Sequence, residues 1–202
     1  MPTQDNRLTK ARRAVLKTAK AMATAGFATG SSGNVSLRFH QHYLITASGV
    51  PYDRLVAAQI IEIDTDGKAF SGRGEPSSEW RMHAAIYAQR DDVRAIVHTH
   101  SPLATAAAIV LPALPVLHDE GRILFGAEVP VSEHHPPGTW DLAHAVAEAL
   151  GSSRGVLVAR HGVVGVGATL DEAFENAVKI EEIARLSLFA RQFESVRRKE
   201  EA

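Results

Sequence analysis

Residues 74–102 read GEPSSEWRMHAAIYAQRDDVRAIVHTHSP, and this stretch decides both the fold class and the chemistry. Pro76 with Ser77 or Ser78 starts a helix predicted over about 78–89, with Met82, Ala85, Ile86 and Tyr87 on its buried side. An apolar strand run follows, Ala95-Ile96-Val97, and ends in His98-Thr99-His100. Strand side chains alternate with period two, so His98 and His100 face the same side, the geometry of a chelating pair. Histidine is a common ligand of divalent metals, and a nearby carboxylate such as Glu79 then suits acid/base chemistry. The same residues also fit blander roles: a solvent-facing strand end for the pair, and a cap or dipole partner at a helix start for Glu79.

On the N-terminal side, Leu8, Ala11, Val15, Leu16, Ala19 and Met22 recur at helical spacing and predict an amphipathic helix stopped by Gly26. Two short strands are predicted over 35–38 and 42–46, and a hairpin joins 60–63 to 68–70 around Asp64-Thr65-Asp66-Gly67. On the C-terminal side, residues 102–109 predict an alanine-rich helix with Pro102 in its first turn. The proline-rich segment 111–137 predicts short strands and exposed loops. Beyond it come a helix over 139–150, strands over 156–159 and 163–166, and one long helix from 170 to about 198, with a charged tail from about 190. Helices flanking a mixed set of short strands argue for one three-layer α/β domain spanning 1–202.

A net charge of −1 offers no field to gather nucleic acid or an anionic membrane, so neither partner is expected. There is no cysteine, so any metal site must be built from His, Asp or Glu. No apolar run reaches membrane-spanning length and the N-terminal residues lack a signal-peptide core, so the expected location is the cytoplasm.

The pair needs a third ligand, and His161 leads. It sits between two apolar strand runs, and Gly162 beside it permits a close backbone approach. Three histidines would leave one coordination position open for water or substrate. His83 lies four residues after Glu79 and fits either the cluster or a helix flank, while His134 and His135, before two prolines, fit a loop. Three small polar pairs, Gly33-Asn34, Ser48-Gly49 and Ser77-Ser78, offer donors without bulk and suit a phosphate if they converge.

Five stretches in order, GNVSLRF, LITASGVPYDRL, GEPSSEWRMHAAIY, AIVHTHSP and the run beginning RHGVVGVGATLDEAFENA, resemble the class II aldolase/adducin family over roughly residues 8–188. The resemblance implies a three-layer α/β/α fold around a mainly antiparallel sheet, and a cyclic homotetramer with active sites between neighbouring subunits. It implies that His98, His100 and His161 bind Zn2+, or another divalent metal, with Glu79 as acid/base and as fourth ligand when substrate is absent. Asn34, Ser48, Gly49, Ser77 and Ser78 match the positions that hold the substrate phosphate. The implied reaction is cleavage of a small phosphorylated keto sugar to dihydroxyacetone phosphate and an aldehyde, through an enediolate that the metal stabilises.

The chain departs from that pattern on the aldehyde side. Where the family aldolase has a tyrosine after the histidine at His118, this chain has Asp119, and Pro137 replaces the aromatic expected before Gly138-Thr139. The C-terminal segment that supplies another tyrosine is short and charged here. Asp119 is therefore a candidate catalytic group for the same cleavage, or for an epimerase, dehydratase or decarboxylase of similar sugar phosphates. A non-catalytic adducin-like module has no need of three histidines together with Glu79.

Overall fold

The structure, a computed structural model, describes residues 4–200; residues 1–3 and 201–202, the two ends of the predicted span, lie outside the described residues. Helix α1 (Gln4–Thr24) leads into a meander of four strands: β1 (Asn34–Phe39), β2 (His42–Thr46), β3 (Ile60–Ile63) and β4 (Ala69–Ser71). Helix α2 (Trp80–Gln89), strand β5 (Ala95–Thr99) and helix α3 (Pro102–Val110) follow, then β6 (Ala113–Pro115), α4 (Asp119–Phe125) and β7 (Glu128–Pro130). The chain closes with α5 (Trp140–Leu150), β8 (Gly155–Val158), β9 (Gly162–Gly167) and the long helix α6 (Leu170–Glu200).

Seven strands form one sheet in the order β4-β3-β2-β1-β5-β9-β8, and every pairing within it is antiparallel. Strand alternation assigns the two faces. Ala95 and Val97 of β5 join Val15, Ala19 and Met22 of α1 and Ala173 and Ala177 of α6, whereas Ile96 joins Met82 and Ile86 of α2 and Leu142 and Val146 of α5. Helices therefore cover both faces, giving the expected three-layer α/β/α arrangement around an antiparallel sheet. Burial of these branched side chains supplies most of the driving force, at roughly 1.5–3 kcal/mol for each fully buried Val, Leu or Ile.

Segment 111–137 differs from its prediction. It contains the seven-residue helix α4, clamped between β6 and β7, which pair as a separate two-stranded sheet. Its Gly121 disfavours helix intrinsically, but a side chain there would meet Val116 Cγ1 at 2.6 Å, so tertiary packing sets the local conformation. Phe125, Leu114 and Val129 then bury against Ala108 of α3 and Ile183 of α6. The charged residues from about 190 belong to α6 itself. Among the described residues, no helix is long and apolar enough to cross a membrane.

Candidate metal centre

Strand β5 lies between β1 and β9, with His98 opposite Asn34 on one side and Val164 on the other. His98 shares the parity of Ile96, so it points to the α2 face, where Glu79 stands immediately before that helix. The helix starts at Trp80, two residues later than predicted, and Glu79 at its N-cap position makes no capping hydrogen bond. Its carboxylate is buried instead and turned toward the histidines. His100 lies one residue beyond β5, where its backbone N–H donates to Phe27 O at 2.9 Å.

His161 comes from the tight turn between β8 and β9, where Arg160 takes φ 59°. Gly162 makes the close approach possible, because a side chain there would collide with the Thr99 carbonyl and crowd the His98 ring. Ligand atoms of Glu79, His98, His100 and His161 all lie within 4.8 Å of one another. His98 Nε2 is 3.2 Å from Glu79 Oε2, His161 Nε2 is 3.3 Å from Glu79 Oε1, and the Nε2 atoms of His98 and His100 are 3.1 Å apart. His98 Nδ1 donates to Val163 O at 2.9 Å, which fixes the ring and turns Nε2 to the common point.

This donor set fits a divalent cation. Glu79 Oε1 is buried without a hydrogen-bond donor, and imidazole nitrogens converge on it and on each other. A metal takes neutral imidazoles and an ionised carboxylate. Burial pushes His100 down to about 3 and His161 down to about 4, with the charge of His98 adding to the effect. Burial opposes charge on Glu79, but the charges of His98 and His161 and hydrogen bonds from His98 and Asn34 outweigh it and hold the carboxyl well below its ordinary range. Burial also works against a charged His98, yet Glu79 wins and raises it.

Glu79, His100 and His161 line a cleft of about 230 Å³ whose walls also include Ser31, Ser32, Gly33, Ser48, Gly49 and Pro137. Asn34, Ser77 and Ser78 line the same space, so the three small polar pairs of the sequence do converge beside the four metal-type ligands. Asn34 is nearly buried and its Nδ2 donates to Glu79 Oε2 at 2.9 Å. Asp119 stands apart: it is exposed at the start of α4 and does not line this cleft. His134 and His135 lie in the loop between β7 and α5.

Three contributors escape the sequence reading. Ser31 and Ser32 line the cleft. His83, which spacing left between cluster and helix flank, is fully buried behind Asn34, with its Nε2 at 2.5 Å from Asn34 Oδ1. The available signal was parity, since Asn34 and Ser36 share a strand face that alternation sets against the α2 layer.

The sequence profile of the Class II Aldolase and Adducin N-terminal domain matches residues 13–188, and the chain belongs to that family. It is a metal-dependent lyase of the class II aldolase type, and Glu79, His98, His100 and His161 form a group that could hold a metal ion. An L-fuculose phosphate aldolase of Escherichia coli O6:H1 is 36% identical over 179 residues, covering 89% of this chain and 83% of that protein. A 5-methylthioribulose-1-phosphate/5-deoxyribulose-1-phosphate aldolase of Rhodospirillum rubrum is 35% identical over 173 residues, 86% of this chain and 78% of that one. A solved L-fuculose 1-phosphate aldolase superposes with TM-score 0.87 at 31% identity, covering 96% of this chain and 89% of its own.

Proposed function

We propose that residues 1–202 form one domain that acts as a zinc-dependent aldolase, cleaving a small ketose 1-phosphate of the L-fuculose 1-phosphate type to dihydroxyacetone phosphate and an aldehyde. The observation that carries this reading is the convergence of Glu79, His98, His100 and His161 at one end of a cleft lined by Ser48, Gly49, Ser77 and Ser78. Named relatives acting on 1-phosphorylated ketoses support the substrate class.

His98, His100 and His161 would hold the cation, with Glu79 as a fourth ligand when substrate is absent. When bound, the cation supplies Lewis-acid stabilisation of negative charge on the substrate oxygens. The hydroxyl and backbone groups of Ser48, Gly49, Ser77 and Ser78, with the amide of Asn34, anchor the phosphate and so place C3 beside Glu79. In the synthetic direction the Glu79 carboxylate takes a proton from C3 of dihydroxyacetone phosphate, leaving the enediolate. The released electron pair forms the C3–C4 bond with the aldehyde carbon, and the aldehyde oxygen takes a proton. Cleavage is the reverse. The charges of neighbouring His98 and His161 keep Glu79 ionised, the form from which a base must start.

Asp119 is assigned to the aldehyde-side proton transfer, reaching the cleft of a neighbouring subunit in a homotetramer. An exposed acid at the start of a helix outside its own chain's cleft suits that role. The expected setting is the cytoplasm. The test is a panel of ketose 1-phosphates on zinc-loaded protein. Stoichiometric zinc, chelator-sensitive release of dihydroxyacetone phosphate and exchange of its C3 proton with solvent are expected. Bound zinc with no such exchange overturns the aldolase reading; isomerised, dehydrated or decarboxylated products in its place point to the other chemistries open to Asp119.

A further inference from the structure

We infer that His83 is a positioning residue whose Nε2–H locks the Asn34 amide, which in turn fixes the Glu79 carboxylate against the metal ligands. This rests on the reading of Glu79 as ligand and acid/base.

Behind the cleft runs an unbroken file of buried polar groups. Asn34 Nδ2 lies 2.9 Å from Glu79 Oε2, Asn34 Oδ1 is 2.5 Å from His83 Nε2, His83 Nδ1 is 2.6 Å from Ser36 Oγ, and Ser36 Oγ is 2.8 Å from the Tyr87 hydroxyl. The chemistry of its first member sets the direction of the links as far as His83 Nε2. An ionised carboxylate only accepts, so Asn34 must turn its NH2 to Glu79 and its carbonyl to His83. His83 Nε2 must then carry a proton. In a neutral ring Nδ1 presents a lone pair, which Ser36 O–H fills, and Ser36 in turn accepts from Tyr87 O–H, whose longer contact, at 3.4 Å, is to Arg94 O. Every proton in the file points toward Glu79, and bonds aligned this way strengthen one another in a medium of low dielectric.

The contact with Asn34 requires a proton on Nε2, so a neutral His83 is the Nε2–H tautomer. An imidazolium would place a second donor against Ser36 and force its hydroxyl to turn. Burial agrees, pushing His83 down to about 3. Packing alone does not explain this file. Ser36, His83 and Tyr87 are buried in the α2 layer among Ile45, Met82 and Ile96, where apolar side chains would fill the space without three polar groups to satisfy. The file reaches the site only through Asn34, whose side-chain carbonyl it holds, leaving the amide no alternative orientation.

Three variants of the full-length protein test this: His83→Phe, which keeps a ring and removes both nitrogens, His83→Gln, whose amide N–H reaches the Nε2 position, and Ser36→Ala. Folding is checked by circular dichroism. Nitrogen-15 spectra of the wild-type imidazoles should show the Nε2–H tautomer at His83, unchanged down to about pH 5 because burial disfavours its cation. His83→Phe should lose ~10- to 100-fold in zinc affinity, read by chelator competition, and in kcat, with little change in KM, as for other residues that orient a ligand from behind. His83→Gln should recover both to near wild type. Should His83→Phe fail to fold, Ser36→Ala decides the matter: Asn34 Oδ1 still imposes the proton on Nε2, so the Nε2–H tautomer should persist there, and an Nδ1–H tautomer would overturn the inference.

An Nδ1–H tautomer in the wild type overturns the inference. So does a folded His83→Phe with wild-type zinc affinity and kcat, or a His83→Gln as impaired as His83→Phe, which would mean packing alone. A wild type without aldolase turnover would refute the proposed reaction, while the tautomer and zinc affinities would still decide the role of His83.

Discussion

The two sides of the proposed reaction are built differently. The metal side uses β5, the β8–β9 turn and the start of α2, and its ligands are held by a backbone carbonyl, a buried amide and a glycine that lets two strands close. The Asp119 side sits on a seven-residue helix in a proline-bounded segment, exposed and outside its own chain's cleft. The first half is complete within one chain, and its geometry is over-determined by the sheet. The second requires something beyond the chain to bring it to bear, so it is free to change without disturbing the fold. Chemistry common to a family belongs in the first kind of setting, and discrimination between substrates in the second.

The largest test of this contrast is Glu79→Gln, which should leave zinc bound by the three histidines yet slow C3 proton exchange toward the upper end of the ~10²–10⁴-fold range for a lost proton-transfer group. Metal analysis and exchange in deuterated buffer read the two halves separately. Next, Asp119→Asn should leave exchange intact but slow full cleavage by ~10²-fold, the lower end of that range, and wild-type cleavage would dissolve the contrast. Gly162→Ala should cost ~1–3 kcal/mol by overpacking against the Thr99 carbonyl, lowering both the unfolding midpoint and zinc affinity.

The pH dependence of the metal-free protein is a further measure. His83, His100 and His161 have folded-state values pushed below the ordinary 6.5, so unfolding takes up protons and stability falls as pH drops from about 6.5 toward 4. The buried His83 alone should account for ~2 kcal/mol between pH 7 and pH 5, read by urea unfolding with chelator present. His98 is raised by Glu79, so its contribution is whole below 6.5 and is lost as pH rises through its folded value; Glu79 contributes above about 4.5 and fails below it. Smallest is Thr139→Ala, which removes the hydroxyl that accepts from Leu142 N and should cost ~1 kcal/mol without touching zinc binding.

Much of this was legible in the residues themselves. The alternation of Ala95-Ile96-Val97 and the spacing of α1 and α2 give the layers, because burial imposes those periods. The His98-Thr99-His100 pair and His161 are readable because strand ends and glycine-flanked turns present side chains in known directions. Helix α4 was not, since seven residues with a central glycine show no period and only their packing makes them helical. Ser36 was hidden, and His83 left between the cluster and a helix flank, for another reason. Polar residues on a strand or helix face read as solvent-facing, and only the three-dimensional partners reveal a buried file.

The pairing of β5 with β9, which sets His98 opposite Val164, has a consequence for how the protein is made. These strands are far apart along the chain, and α3, β6, α4, β7, α5 and β8 must be accommodated before they meet. Closing so long a loop is an entropically slow event, and contacts of this kind limit folding rates. His161 therefore meets His98 and His100 only when that long loop has closed. A cation that needs all three imidazoles finds its full ligand set only in the closed sheet, so its binding would favour that sheet over the open chain.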